Sequence, residues 1–317
     1  MSNSPSSDPS ASAAPGARGA APSHSHGRKI SVVTGANRGI GRAIAGELGE
    51  RGHRVICLCR TEERARQTAH ELAQEVGRES FGWAHADLTR PDQIEAAAKT
   101  IRERHPSIDL LMNNAGYSTL EYRESEEGVE ETLAINHLGT VRLTLALLPS
   151  LLTPDASRIV IVSSQAHSRK WAPETFDGPK GFDGRQAYAQ AKLLNLLFTL
   201  DLARALDHTG VDVNAVHPGL VATGLLDDLI GSSLLATPFL ALARLIAKGP
   251  ADGAETPIHV ATASELEGSS GGYFVKRKRR NPRPVAEDRK VQEEARRWTA
   301  ELAGVDWGAR VEDLLAD

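Results

Sequence analysis

The sequence predicts an α/β fold: a single doubly wound domain with a mainly parallel, roughly seven-stranded sheet and helices on both faces. Three observations predict it. Short apolar runs alternate with longer stretches of helical periodicity from Lys29 onward, and strands joined by crossover helices build a parallel sheet. Gly35, Gly39 and Gly41 cluster at the end of the first such run, where an open sheet of this kind turns into its first helix. No Pro/Gly/Ser-rich linker interrupts the alternation, so 29–317 reads as one domain.

The elements follow in order. Residues 1–28 are Ser, Pro, Ala and Gly with His24 and His26 and no apolar periodicity, which predicts a disordered tail. Ile30–Thr34 is a short apolar strand and Ile40–Glu50 a helix; Arg54–Leu58 is a second strand, and Thr61 caps a helix opened by Glu62 and Glu63. Further strands are expected at Phe81–His85, Ile108–Met112, Arg158–Ser163 and Val211–Val216, with a last short one at Tyr273–Val275. Helices are expected at Asp92–Arg104, Glu126–Leu148 and Ala187–Leu206. Ligands of such a sheet bind beyond the carboxyl ends of its strands.

The net charge of −4 argues against a nucleic-acid binder, which concentrates positive charge against phosphates. The one dense basic run, Lys276 to Arg280, reads as a solvated surface stretch. Cys57 and Cys59 lie two apart in a strand and share a face, so they suit a buried apolar environment in a reducing compartment, with no metal cluster beside them. No apolar run is long enough for a membrane span and no secretion signal opens the chain, which predicts a cytoplasmic protein.

Two motifs carry chemistry. Thr34-Gly35-Ala36-Asn37-Arg38-Gly39-Ile40-Gly41 closes a strand and opens a helix. Glycines there let the backbone approach a pyrophosphate, whose charge the amides and the helix dipole hold. Tyr188 and Lys192 are four residues apart in a helical stretch, hence one turn apart on one face. An ammonium near a phenol favours the phenolate and makes an acid/base pair suited to carbonyl reduction or alcohol oxidation.

The glycine spacing, with Asn113-Asn114-Ala115-Gly116 after the fourth strand and Tyr188 with Lys192, resembles the short-chain dehydrogenase/reductase family, a Rossmann-like fold. Asp87-Leu88 after the third strand, Asn136, Ser163-Ser164 ending the fifth strand and His217-Pro218-Gly219 ending the sixth match in order. Ser164-Gln165-Ala166-His167, Ala187-Tyr188 and Phe198-Thr199 look like its retinol-dehydrogenase-like branch. That branch often carries a membrane anchor before its first strand. The tail here is polar, so membrane association is not carried over.

The resemblance implies a catalytic tetrad. Tyr188 would exchange a proton with the substrate oxygen, and Lys192 would lower the Tyr188 pKa and bond the nicotinamide ribose. Ser164 would hold the substrate oxygen, with Ser163 a backbone-bonding strand end, and Asn136 would join through a water to Lys192. Asp87 and Leu88 would meet the adenine and Asn114, Ala115 and Gly116 the adenosine ribose. Asn37 and Ile40 would lie in the phosphate turn, and Pro218, Gly219, Val221 and Thr223 would line the nicotinamide. His167, near the reaction centre, reads as a structural hydrogen-bonding residue.

The place after the second strand where NAD enzymes carry an acid holds Cys59 and then Arg60, and Arg38 lies in the glycine turn. Two guanidiniums and no carboxylate suit a 2′-phosphate, so NADPH/NADP+ is expected over NADH. Trp171 to Gln186 should loop over the site. Residues 220–250, rich in Leu, form the expected substrate loop or lid for an apolar carbonyl or alcohol. Family precedent for pairing the helices of Asn136 and Tyr188 implies a homodimer or homotetramer. Competing readings are a silent dinucleotide-binding sensor or scaffold, against which the full tetrad weighs, and a nucleotide-sugar epimerase or dehydratase, whose longer C-terminal domain is not expected because the chain is read as ending soon after its last strand.

Overall fold

The alternation of apolar runs and helical stretches resolves, in a computed structural model describing residues 27–77, 79–219 and 249–316, into one sheet of eight strands in the order β3-β2-β1-β4-β5-β6-β7-β8. The strands are β1 (Ile30–Thr34), β2 (Arg54–Cys59), β3 (Phe81–His85), β4 (Leu110–Asn113), β5 (Ser157–Val162), β6 (Val211–His217), β7 (Gly272–Val275) and β8 (Lys278–Arg280). All neighbours pair parallel except β7 with β8. Strand order reverses between β1 and β4, which opens a crevice at their carboxyl ends.

Strand alternation sorts the side chains into two apolar layers. Val32, Ile56 and Leu58 pack with α3 (Pro91–Arg104), α5 (Gly139–Leu151) and α6 (Gly184–Ala205) on one face. Val33, Val55, Cys57 and Cys59 pack with α1 (Gly39–Glu50), α2 (Glu62–Val76) and α7 (Pro250–Thr262) on the other. The two cysteines are thus buried on one face and free, as their spacing implies. Thr61 caps α2 by accepting the Arg64 amide at 3.4 Å.

Four expectations need correction. The strand count is eight: Lys276 and Arg277 make a left-handed turn (φ 50° and 61°), and the rest of the basic run becomes the exposed edge strand β8. Charged side chains on an edge discourage further strand pairing. The chain also does not end soon after its last strand. It continues through α8 (Pro284–Glu287), α9 (Arg289–Ala303) and α10 (Trp307–Ala316), which pack on α6 and α5. Phe198 of α6 meets Trp307 of α10 edge-on at 5.0 Å. Glu126–Leu148 is not one helix either. Glu130 caps its first turn at α4 (Glu131–Leu133) with both carboxylate oxygens, and a π-helical turn, Ala134–Leu138, leads into α5. Finally, the Trp171–Gln186 loop contains a 3-10 turn at Pro173–Phe176. No described helix is long and apolar enough to cross a membrane.

Candidate active site

The carboxyl ends of β1, β4, β5 and β6 gather the sequence motifs at one edge of the sheet. Gly35 leaves β1 at φ +66°, and a Cβ there would lie 3.1 Å from Ala115 Cα. Gly41, in the first turn of α1, has no room for a Cβ against Gly35 O and Asn114 Nδ2. α1 starts with no side-chain cap bond and no acid in its first turn. Its N-terminal amides and dipole are therefore arranged for an external anion. This cradle fits a dinucleotide pyrophosphate.

Thr34 locks the turn to the Asn-Asn-Ala-Gly end. Its hydroxyl accepts the Asn114 and Ala115 amides, both at 2.9 Å, and Asn114 Nδ2 donates to Thr34 O at 2.9 Å. Cys59 lies beneath the turn: burial raises its thiol, while the nearby Thr68 hydroxyl and the Ala36 and Asn37 amides act the other way. The motif contained Thr34, but nothing in the sequence marked its anchoring role or that of Cys59.

On the adenosine side, Arg60 Nε donates to Asp87 Oδ2 at 2.7 Å, with the Arg60 side chain 62% exposed. Asp87 Oδ1 accepts the Thr89 amide at 3.0 Å and hydroxyl at 2.8 Å. Partial burial opposes ionisation of Asp87, yet these bonds and the Arg60 charge hold its carboxyl below the usual range. Leu88 is buried and Arg38 is exposed at the mouth of the turn.

Tyr188 and Lys192 do share one face of α6, whose N-terminus Asp183 caps by accepting the Arg185 amide at 2.9 Å. Lys192 is buried, its Nζ 5.6 Å from the centre of the Tyr188 ring and donating to Val162 O at 3.0 Å. Burial lowers the ammonium to about 8. The Tyr188 hydroxyl faces the Ser164 side chain. Burial pushes the phenol up to about 12, with the Ser164 side chain opposing this. The expected lowering of Tyr188 by Lys192 is therefore corrected: the ammonium approaches the ring, and desolvation of the phenolate dominates.

Ser163 Oγ donates to Lys192 O at 2.8 Å, the backbone role read for it, while Ser164 Oγ accepts the Ala166 amide at 3.1 Å. Asn136 stands in the π-helical turn, a local irregularity that often marks functional positions. Its Nδ2 donates to Tyr117 O and Thr132 O, both at 2.7 Å, and its Oδ1 accepts the Tyr117 amide at 3.2 Å. The amide group is thus committed to backbone. A Cβ on Gly116 would sit 3.3 Å from Asn136 Oδ1 and 3.7 Å from Lys192 Nζ, so Gly116 passes between the two. Pro218 and Gly219 follow β6, with Gly219 at φ +97°, whereas Val221, Thr223 and the lid at 220–248 lie outside the described residues.

Residues 29–231 match the family model described as short chain dehydrogenase. The chain belongs to the short-chain dehydrogenase/reductase family, and so is an oxidoreductase of a class that binds a nicotinamide dinucleotide. Within it the chain falls in the retinol-dehydrogenase-like branch. It is 36% identical to human (Homo sapiens) retinol dehydrogenase 14 over 290 residues, covering 86% of this chain and 85% of that one. It is similar in structure to an uncharacterised protein from Mycobacterium paratuberculosis, with TM-score 0.68 and 25% identity over 88% of this chain and 94% of that one. A short chain dehydrogenase from Escherichia coli CFT073, complexed with NADPH, superposes with TM-score 0.61 and 28% identity over 78% of this chain and 95% of that one.

Proposed function

We propose that this chain is an NADP(H)-dependent carbonyl reductase or alcohol dehydrogenase acting on an apolar substrate, with Tyr188 as proton donor and acceptor. The observation that carries the reading is Tyr188, its hydroxyl toward Ser164 and its ring beside the ammonium of buried Lys192, at the strand ends beside the glycine turn. When bound, the nicotinamide supplies or takes the hydride. A phenol held protonated by burial is ready to give its proton to a carbonyl oxygen as negative charge develops there. Ser164 offers that oxygen a fixed hydroxyl donor. Lys192 provides the only buried ammonium among the described residues, and its lowered pKa lets it exchange a proton near neutrality. Asn136 and Gly116 fix the wall beside it.

Arg60 and Arg38 supply guanidiniums for a 2′-phosphate where Arg60, rather than an acid, directly follows Cys59 at the end of β2. The NADPH complex of the Escherichia coli neighbour supports the same cofactor. The names of the retinol dehydrogenases, together with the Leu-rich stretch at 220–248, support an apolar alcohol or carbonyl. The buried free cysteines support a reducing compartment, for which we propose the cytoplasm. Turnover of a carbonyl panel, run with NADPH and with NADH, tests the reading. NADPH should be preferred, and Arg60→Ala should lower kcat/KM for NADPH roughly 10–100-fold, the loss of one charge-assisted contact. Equal use of the two cofactors, or turnover confined to small polar sugars, would overturn it.

A further inference from the structure

Ser164 lies two residues beyond Val162, the last residue of β5, and the loop after it exposes Gln165 and Ala166. Little apolar burial holds such a loop, so its polar contacts decide where Ser164 stands. His167 Nδ1 lies 2.6 Å from Ser164 O. A carbonyl only accepts, so Nδ1 carries the imidazole proton and Nε2 keeps its lone pair. That lone pair accepts the Arg283 amide at 3.3 Å. The Arg283 guanidinium adds donation to His167 O and, at 3.2 Å, to Gln165 O. Gln165 N in turn donates to His217 Nδ1 of β6 at 3.2 Å. Arg283 lies between Pro282 and Pro284, just before α8, 116 residues beyond His167.

We propose that Arg283, acting through His167, is a positioning residue for Ser164: the segment after β8 clamps the Ser164 loop and sets the Ser164 hydroxyl against Tyr188. The proposal rests on the reading of Ser164 as the group that holds the substrate oxygen. It requires a neutral His167, because an imidazolium would turn an Nε2–H toward the Arg283 N–H. The groups facing His167 are Arg283, Tyr273 of β7 with its ring 5.7 Å away, and His217 of β6. Burial and the Arg283 charge keep its pKa below the usual value, against the Ser164 bond. The clamp therefore holds at neutral pH and loosens in acid.

The test uses the full chain with NADPH and 4-nitrobenzaldehyde as the carbonyl probe. Arg283→Met should lower kcat at least tenfold while the NADPH dissociation constant stays within about twofold, since angstrom-scale misplacement of a catalytic donor has effects of this size. His167→Ala should fall similarly. His167→Asn, which keeps a donor near Nδ1 and cannot titrate, should recover most of the rate and lose the acid limb of the kcat–pH profile. Independently of turnover, amide exchange at residues 165–167 should quicken at least tenfold in Arg283→Met, with β5 unchanged. Wild-type kcat in Arg283→Met, or unchanged exchange in that loop, overturns the clamp when Ser164→Ala is impaired. If Ser164→Ala also keeps wild-type kcat, the underlying reading of Ser164 has failed and the proposal falls with it.

Discussion

The turn after β1 and the loop after β5 face the same end of the sheet, but their supports differ in kind. The first is held by regular elements: Gly35 N donates to Leu58 O at 2.9 Å, Thr34 binds the end of β4, and Cys59 of β2 lies beneath. The second is held by Arg283, from a segment between a basic edge strand and the C-terminal helices, together with His167 of the loop itself and His217 at the end of β6. Parallel-strand register delivers the dinucleotide cradle once the strands form. The Ser164 loop depends instead on the chain returning, after β8, to the mouth of the site. The two supports can therefore be broken separately.

The largest effect is expected at the C-terminal docking. Trp307 is 2% exposed, meets Phe198 at 5.0 Å, and donates from its indole to Asp201 Oδ2 at 2.8 Å. Trp307→Ala should cost about 3–5 kcal/mol in denaturant unfolding, the range for deleting a large buried aromatic. A cost below about 1 kcal/mol would show that α10 does not anchor the C-terminal segment. Next is Gly41→Ala, whose Cβ would overlap Gly35 O and Asn114 Nδ2. Dinucleotide affinity measured by calorimetry should drop about a hundredfold, roughly 3 kcal/mol; wild-type affinity would remove the close approach from the cradle.

The smallest effect is a pH dependence of stability. His137, beside Asn136 in the π-helical turn, bonds Asn195 Oδ1 at 3.1 Å and Thr299 Oγ1 of α9 at 3.0 Å. Burial, reinforced by the Lys192 charge and opposed by the Asn195 bond, lowers it from 6.5 to about 4. A depressed histidine contributes stability that is fully present above its unfolded pKa and is lost as pH falls through the folded one. Unfolding free energy should decline by about 2–3 kcal/mol between pH 6.5 and 4 from this group. His217, also lowered to about 4 by burial and the His167 charge, adds to the same window. His137→Gln should flatten the slope in part, and an unaltered slope would remove His137 as its source.

The same contrast explains what was legible in the sequence. β1 to β7 follow from apolar runs, and Gly35, Gly41, Tyr188 and Lys192 from spacing, because each signal is local to a strand, a turn or one helix face. The helix at Asn136 reads as regular because apolar periodicity does not announce an inserted π turn. β8 hides in a run of Lys and Arg that reads as solvent-exposed, and it is exposed, though paired to β7. α9 was legible in principle, since Val291, Ala295, Trp298 and Leu302 are spaced for one apolar helix face. Arg283 carries no local mark at all. Its partners are backbone carbonyls and a ring nitrogen supplied by distant folding.

The central claim is that the phenol of Tyr188 passes the proton while Ser164 holds the oxygen, and single-turnover reduction of 4-nitrobenzaldehyde by the NADPH-loaded chain tests it most directly. Tyr188→Phe keeps the ring beside Lys192 and deletes only the hydroxyl. It should retain NADPH affinity and lose roughly a hundredfold or more in the chemical step, the scale of general acid catalysis. Wild-type single-turnover rates in Tyr188→Phe would contradict the account.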